Sequence, residues 1–278
     1  MSDPVLITLL TLAAVTLFAT GTPLMLIIGM WVIGMQLIFD FPLANVGSSM
    51  FEGLNSFALL AAPLFILTGD LISAGGLARR MSDFALAILG WVRGGLGMAS
   101  LGACGMFAAI SGSNAATTAT IGSITYPTMV KQGYDKNFSA ATAAAGGTVG
   151  IIIPPSILFI VYGYLISLPI SELFLAGIIP GILMVAVMMI ACYIVSRRRN
   201  YGQIVPFKLS ILRQTLPGAS IGLFAIFIVL GGIYTGIFSP TEASAVTVVY
   251  CLLAGMLITR ETKWRKLPDI FFRSGIII

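Results

Sequence analysis

The stretch that decides the fold is GGLGMASLGACGMFAAISGSNAATTATIGSITYPTMV, residues 94–130, which contains no charged side chain. It exceeds the roughly 20 residues that cross a ~30 Å hydrocarbon core. The polar run Ser111–Asn114 divides it into arms of about 16–17 residues, each roughly 25 Å long as a helix. The flanking cations Arg93 and Lys131 both belong in the cytoplasm by the positive-inside rule. We therefore expect a re-entrant helical hairpin, with two full spans as the alternative.

Composition places the rest of the chain in lipid as well. Of 278 residues, 58% are hydrophobic and 9% are charged, and the mean hydropathy is +1.03. Soluble domains carry about a quarter charged residues. Further charge-free gaps lie between residues 3 and 40, 136 and 172, and 213 and 242. Gaps of this length suit helices rather than barrel strands. The sequence predicts an all-α, multi-pass membrane protein.

The net charge of +5 comes from cations in loops beside the spans, which argues against nucleic acid as a partner and for membrane lipid. The positive-inside rule places residues 79–80, 197–199 and 260–273 in the cytoplasm. The N-terminus lacks a basic region and a small-residue cleavage site, so we interpret it as a retained helix rather than a signal peptide. The three isolated cysteines are interpreted as small buried hydrophobes.

Hydropathy and breaker residues divide the chain into segments. We predict spans over residues 4–19, 24–39, 55–78, 173–196, 216–238 and 243–259. Between them we expect a periplasmic stretch at 40–52, a partly amphipathic cytoplasmic segment at 79–93, an interfacial segment at 200–213 and a basic loop at 260–273. A further membrane helix is expected to begin at Ser274.

A second break lies within residues 137–167. After a helical start, the chain meets Gly146-Gly147, Gly150 and Pro154-Pro155. Proline removes a backbone donor and disfavours helix at the preceding residue. We expect a broken helix with free carbonyl groups near the bilayer centre. Such helices accompany inverted repeats in transporters, and a weak internal match pairs Thr22-Pro23 with Ser239-Pro240 at an offset of 217. In that register the second repeat is incomplete.

The two breaks offer oxygen ligands for a small cation and a helix N-terminus for an anionic group. The alternative for Ser111–Asn114 is close packing of helices through small residues. Asp70 and Glu242 are acids within apolar runs, where function is the default hypothesis. Glu242 could instead begin a helix, and Asp70 could pair with Arg79 or Arg80.

An enzyme is not expected. The chain has no histidine to serve as a base for a serine protease, no GxGD motif and no P-loop. A channel or a non-transporting scaffold subunit remains an alternative. A channel needs a path lined with polar residues, whereas polarity here is concentrated at two breaks, which favours one occluded site.

Several long motifs resemble the large membrane subunit of tripartite ATP-independent periplasmic (TRAP) transporters, the DctM-like family. They are APLFILTGDLISAGGLARRM at 62–81, WVRGGLG at 91–97, FAAISGSNAATTATIGSITYPTMVKQGYD at 107–135, GGTVGIIIPPSILFIVYG at 146–163, LFLAGIIPGIL at 173–183 and GIFSPTEASAVTVVY at 236–250. The resemblance implies a sodium-coupled importer of organic acids, such as C4-dicarboxylates or sialic acids, in the bacterial inner membrane. It also implies an elevator-type ion-transporter fold. The alternative is a transporter of the same superfamily that works without a binding protein.

The resemblance further implies two partners, a periplasmic substrate-binding protein and a small four-helix membrane subunit, and no cofactor or metal other than sodium as coupling ion. Carried over by motif, the sodium ligands come from five residues, Ser111, Ser113, Gly150, Ile153 and Pro155. The substrate side would be lined by Asn114, Thr148 and Ser156.

The resemblance also implies a division of the chain. Residues 1–92 would form scaffold spans and a connector, 93–172 the first half of the transport domain, 173–215 a scaffold span and interfacial arm, and 216–278 the start of a truncated second repeat. Family members carry a second hairpin and a second broken helix with a Thr-Pro-Pro motif, and neither is in this sequence. We therefore expect that this chain does not transport alone.

Overall fold

The computed structural model describes residues 3–204 and 206–277. In these ranges the chain forms helices joined by short turns, without a β-strand, as the prediction of an all-α protein requires. The chain divides into two compact units, Met1–Ser56 and Phe57–Ile278. This division says nothing about the transport and scaffold parts proposed from the sequence, which stay a prediction.

The first unit contains three helices, α1 (Asp3–Ala19), α2 (Leu24–Ile38) and α3 (Ala44–Leu54). The first two agree with the predicted spans, and they pack against each other. The break between them turns at Gly21, whose φ of +80° suits glycine. Helix α3 was not predicted, because the stretch at 40–52 was expected only as a polar periplasmic connection.

The second unit contains the remaining helices. In chain order they are α4 (Ala61–Ala74), α5 (Leu77–Leu89), α6 (Gly95–Ser111), α7 (Asn114–Lys131), α8 (Lys136–Thr148), α9 (Ile157–Leu165), α10 (Ile170–Arg199), α11 (Leu209–Ile226), α12 (Gly232–Tyr234), α13 (Pro240–Leu253) and α14 (Leu267–Ile277). Short 3-10 turns lie at Val149–Ile151 and Trp264–Lys266, and π turns lie at Phe227–Gly231 and Ala254–Ile258.

Within residues 3–204 and 206–277, three continuous helical stretches are long and apolar enough to cross a membrane. They are Ile170–Arg199, Leu209–Tyr234 and Pro240–Ile258. Helices α1, α2 and α6 are also apolar but shorter. Large apolar side chains on these helices are exposed, as at Met25 and Ile179. Lipid must cover such surfaces, because a soluble monomer does not expose contiguous apolar area on this scale.

The span expected at 55–78 is wrong in its extent. Helix α4 covers only Ala61–Ala74, about 21 Å, and the chain then bends by 70° into α5. Gly76 makes the bend with a φ of +69°, which an L-residue with a side chain adopts only under strain. The segment expected at 79–93 is α5, which begins at Leu77.

The C-terminal segment also differs from expectation. Residues 260–273 were expected as a basic loop, but α14 already begins at Leu267. Pro268 lies in the first turn of that helix, where its missing N–H has no intrahelical partner to lose. The apolar residues that follow continue the helix through Ser274, so the predicted helix start at Ser274 is seven residues too late.

The internal repeat has a structural counterpart. Pro23 precedes α2, and Ser239 is the N-cap of α13, one residue before Pro240. In both segments, a helix is followed by a break that contains a Thr-Pro or Ser-Pro pair, and a second helix begins at or directly after the proline. The inverted relation between repeats, and an elevator-type fold, stay predictions.

Candidate functional site

Helices α6 and α7 form a helical hairpin and pack against each other. That the hairpin is re-entrant, rather than two full spans, stays a prediction. Helix α6 ends at Gly112, whose φ of +59° is left-handed. Ser113 is the extended N-cap of α7, and its hydroxyl accepts a hydrogen bond from the Ala116 N–H at 3.3 Å. The tip is thus two residues, with Ser111 and Asn114 inside the flanking helices.

The predicted broken helix is formed by α8 and α9. Helix α8 passes into the 3-10 turn Val149–Ile151, and α9 begins only at Ile157. Ser156 is the N-cap of α9, and its hydroxyl donates to the Ile151 carbonyl at 2.7 Å. We call the segment between α8 and α9, residues 149–156, the interruption. It contains Pro154-Pro155, and proline removes a backbone donor and disfavours helix at the preceding residue.

The hairpin tip lies directly against this interruption. The Ile157 N–H donates to the Gly112 carbonyl at 3.3 Å. A Cβ atom added at Gly112 would lie 2.5 Å from the Pro155 carbonyl oxygen, and one added at Gly150 would lie 2.7 Å from the Ser113 carbonyl oxygen. At both positions the neighbouring backbone leaves space for a hydrogen atom but not for a methyl group. The contact between the tip and the interruption therefore requires glycine at 112 and at 150.

Four of the five residues predicted to bind sodium lie at this contact. Ser111, Gly150 and Pro155 are buried, and Ser113 is half-buried. Ser111 sits against Gly69 of α4, where an added Cβ would lie 3.0 Å from the serine Cβ. Ile153 is predicted to contribute its backbone carbonyl, and its side chain packs against Gly181 of α10. Only its carbonyl can serve the site.

The residues predicted for the substrate side are less closely grouped. The Asn114 side chain accepts a hydrogen bond from the Thr118 hydroxyl at 3.3 Å, beside Gly147 of α8. Thr148 is exposed, and its hydroxyl bonds the Ala145 carbonyl at 2.6 Å. Ser156 is fully buried and caps its own helix. Only Asn114 is therefore positioned by contacts between the hairpin and α8.

Sequence reasoning missed Thr117, which joins the two sides of the tip. Its hydroxyl donates to the Ser113 carbonyl at 2.7 Å and lies 3.2 Å from the Ser111 hydroxyl. Thr117 is fully buried. The signal was its position four residues after Ser113, which places a hydroxyl within reach of that carbonyl on a helix.

A polar cavity of about 350 Å³ opens beside the tip, between α4, α7 and α14. It is lined by Ser113 of the tip, by Asp70 and Ser73 of α4 and by Arg273 of α14. The Asp70 carboxylate accepts a hydrogen bond from Ser274 at 2.6 Å. The cavity therefore combines one acid, one base and hydroxyl groups.

The alternatives left open for the two acids are now decided in part. Asp70 bonds Ser274 rather than Arg79 or Arg80, so the predicted pairing is wrong. Arg80 instead forms an ion pair with Glu261 at 3.0 Å.

Glu242 closes a capping box with Ser239. The Ser239 N–H donates to its carboxylate at 2.8 Å, and the Glu242 N–H donates to the Ser239 hydroxyl at 3.3 Å. The helix-start interpretation accounts for this residue. Cys104, Cys192 and Cys251 are buried and unpaired as disulfides, as expected.

The donor set at the contact suits a hard monovalent or divalent cation. It consists of hydroxyl and carbonyl oxygens from Ser111, Ser113, Thr117 and Pro155, without nitrogen or sulfur. Among the described residues, no group of three or more His, Cys, Asp or Glu side chains could hold a metal ion. Oxygen ligands of low charge fit an alkali cation better than a transition metal.

The family model for the DctM component of the tripartite ATP-independent periplasmic transporters matches residues 8–278. The chain belongs to this family. Its members are transporter permeases rather than enzymes. The family and the apolar helices both indicate that this chain lies in a membrane.

Among curated relatives, the chain is 41% identical over 259 residues to the C4-dicarboxylate TRAP transporter large permease protein DctM of Vibrio cholerae, covering 92% of this chain and 57% of the relative. It is 39% identical to the protein of the same description from Pseudomonas aeruginosa, covering 83% and 54%. It is 43% identical to the isethionate TRAP transporter permease protein DctMQ of Oleidesulfovibrio alaskensis, covering 79% and 35%. The chain thus spans about half the length of the curated DctM relatives that it matches.

Proposed function

We propose that this chain belongs to the large membrane subunit of a sodium-coupled importer of organic acids in the bacterial inner membrane. The observation that carries the proposal is the contact of the hydroxyl-bearing tip with the interruption at Pro154-Pro155. There, two discontinuous helices meet inside apolar segments and bring uncharged oxygens together. Discontinuous helices of this kind form the ion and substrate sites of secondary transporters.

In this proposal the cation is held between the tip and the interruption. The Ser111, Ser113 and Thr117 hydroxyls would supply ligands from the hairpin, and carbonyl groups between Gly150 and Pro155 would supply ligands from the broken helix. Carbonyl oxygens can replace the hydration shell of a cation in a membrane site. Binding would hold tip and interruption together, because ligands come from both.

The substrate is proposed to be an organic acid that approaches the same tip. The N-terminus of α7, beginning at Asn114, presents backbone N–H groups and the positive end of a helix dipole, which attract a carboxylate. Asn114, Thr148 and Ser156 are the residues proposed to face it. Relatives described as permeases for C4-dicarboxylates support this class of substrate.

Two partners are proposed from the family, a small four-helix membrane subunit and a periplasmic substrate-binding protein. The relative described as the isethionate TRAP transporter permease protein DctMQ supports the first, since a DctM component is fused there to a second component. The proposed movement is an elevator-type displacement in which the part containing residues 93–172 slides against the scaffold.

The proposal is tested by uptake of a radiolabelled C4-dicarboxylate into proteoliposomes that contain the full-length subunit, its small membrane partner and the binding protein. Ser113→Gly removes the hydroxyl at the cost of only a few tenths of a kcal/mol of capping. We expect the sodium concentration for half-maximal uptake to rise about fivefold. The loss of one coordinating oxygen is taken to cost as much as the loss of one hydrogen bond, about 1 kcal/mol.

Ser123→Ala is the matched control, because Ser123 is an exposed serine on the same helix whose hydroxyl bonds the Thr120 carbonyl. It should leave the sodium dependence unchanged. Uptake that persists without sodium, or that responds equally to both variants, would contradict the sodium site.

A further inference from the structure

The C-terminal end of α10 and the turn between α5 and α6 form a second polar pocket, far along the hairpin from its tip. The pocket has a volume of about 460 Å³ and is lined by Trp91, Arg93, Tyr193, Arg197 and Asn200, together with Val92. Its two arginines come from separate parts of the chain. The positive-inside rule places both at the cytoplasmic surface, and the fold brings them to one site.

The arginines in this pocket are bound only by neutral groups in the described part of the chain. Arg93 donates to the Asn200 side-chain oxygen, and Arg197 donates to the Tyr193 hydroxyl at 3.3 Å. The ion pair formed among the described residues is elsewhere, between Arg80 and Glu261. A guanidinium group has five N–H donors, so both side chains retain donors for an anion.

An apolar cleft of about 520 Å³ lies between α5, α6 and α10. Among its lining residues are Leu89 of α5, Gly102 and Gly105 of α6, and Val185 and Met189 of α10. Leu89 and Met189 pack on the same hydrophobic cluster as Val92 and Tyr193 of the polar pocket. The cleft and the pocket are therefore neighbours along α5 and α10.

The two glycines let side chains of α10 pack closely on α6 at the wall of the cleft. A Cβ atom at Gly102 would lie 2.9 Å from the end of the Met189 side chain, and one at Gly105 would lie 3.2 Å from a Val185 methyl group. Larger residues at these positions would displace these side chains and change the shape of the cleft. The cleft is nearly devoid of polar atoms, so its occupant within a bilayer must be apolar.

We propose that the pocket and cleft together bind one phospholipid with an anionic headgroup. The phosphate would lie between Arg93 and Arg197, since guanidinium groups bind phosphate oxygens with two parallel hydrogen bonds. Trp91 and Tyr193 also line the pocket, and tryptophan and tyrosine are the residue types enriched at membrane interfaces. One acyl chain would follow the apolar cleft along α10. The charge of the pocket selects a lipid over an apolar helix of a partner protein as the occupant.

The test uses Trp91 as a reporter in the full-length subunit. These 278 residues contain three tryptophans. Trp31→Phe and Trp264→Phe, together with Phe at any tryptophan in the rest of the subunit, leave Trp91 as the single fluorophore. The chain is reconstituted in phosphatidylcholine vesicles that contain increasing fractions of phosphatidylglycerol brominated near the glycerol backbone. Bromine quenches tryptophan only at close range, so half-maximal quenching reports occupancy beside Trp91. Brominated phosphatidylcholine provides the comparison.

We expect phosphatidylglycerol to quench at a mole fraction at least tenfold lower than phosphatidylcholine. An arginine near an anionic surface contributes about a fivefold preference, and two arginines act here. Arg93→Gln combined with Arg197→Gln should reduce the preference to within twofold. The matched control, Arg260→Gln with Arg265→Gln, removes the same charge from the basic segment near α14 and should leave the preference unchanged.

A third variant separates lipid from a free anion. Ala186→Phe places a large side chain at the cleft lining and should weaken quenching by both lipids, whereas a site for free phosphate would be unaffected. Millimolar inorganic phosphate should not displace the brominated lipid. Equal preference in the Arg93/Arg197 and Arg260/Arg265 variants would overturn the proposal. Loss of all lipid quenching of Trp91 when the small membrane partner is added would also overturn it, because that protein would then cover the site.

Discussion

Replacing Gly150 by alanine would insert a methyl group between the two halves of the proposed cation site. The added Cβ would lie 2.7 Å from the Ser113 carbonyl oxygen, 2.8 Å from the Ser113 carbonyl carbon and 2.9 Å from the Asn114 backbone nitrogen. All three are backbone atoms, which cannot move aside by changing a rotamer. Tip and interruption must therefore separate.

The required separation can be estimated from ordinary contacts. Carbon atoms and their neighbours in van der Waals contact lie about 3.5 Å apart or more, so the tip must withdraw by about 0.7 Å. Cation–oxygen distances tolerate only about 0.2 Å. We expect overpacking to cost about 1–3 kcal/mol of stability and the sodium concentration for half-maximal uptake to rise at least tenfold.

The matched control is Gly122→Ala in α7, the second helix of the hairpin. There an added Cβ would meet the Ala143 side chain at 3.3 Å, so a shift of a few tenths of an ångström suffices, and the site is away from the tip. The assay is substrate uptake against sodium concentration in proteoliposomes, paired with thermal unfolding in sodium and in potassium. Sodium should stabilise the wild type and Gly122→Ala but not Gly150→Ala. A Gly150→Ala protein with unchanged sodium dependence would refute the tip–interruption site.

Three further substitutions test other parts of the structure. Gly112→Ala combines a left-handed φ, which costs about 1–2 kcal/mol for a residue with a side chain, with a Cβ at 2.5 Å from the Pro155 carbonyl oxygen; the midpoint of thermal unfolding should fall by several degrees. Ser239→Ala removes a helix cap and should cost about 1 kcal/mol, while a changed sodium dependence would show that the residue does more than begin a helix. Arg80→Gln breaks a half-exposed pair with Glu261 and should cost less than about 1 kcal/mol, as measured by a double-mutant cycle.

Several features of the site could be predicted from the sequence because their causes are local. Glycine at 112 and the serines on either side end one helix and cap the next, and Pro154-Pro155 interrupts another helix wherever it is placed. The polar run Ser111–Asn114 was assigned to the tip, and the structure places Gly112 and Ser113 there, with Ser111 as the last residue of α6. Sodium binding by these residues stays a prediction.

Other features depend on residues that are distant in sequence. One alternative paired the Asp70 carboxylate with an arginine nearby in sequence, but it accepts a hydrogen bond from Ser274, 204 positions away. The orientation of Ile153 toward Gly181 follows from packing between α10 and the interruption.

The sequence by itself determined that this chain is a multi-pass helical membrane protein with two breaks in apolar segments. Hydropathy, glycine and proline act over a few residues, so their effects on the chain can be predicted without knowing the fold. Tertiary structure decided that the breaks meet, that Asp70 bonds Ser274 and that Arg93 joins Arg197 at one pocket. Each of these is a contact between separate helices, and such contacts depend on how whole surfaces fit together rather than on local preference.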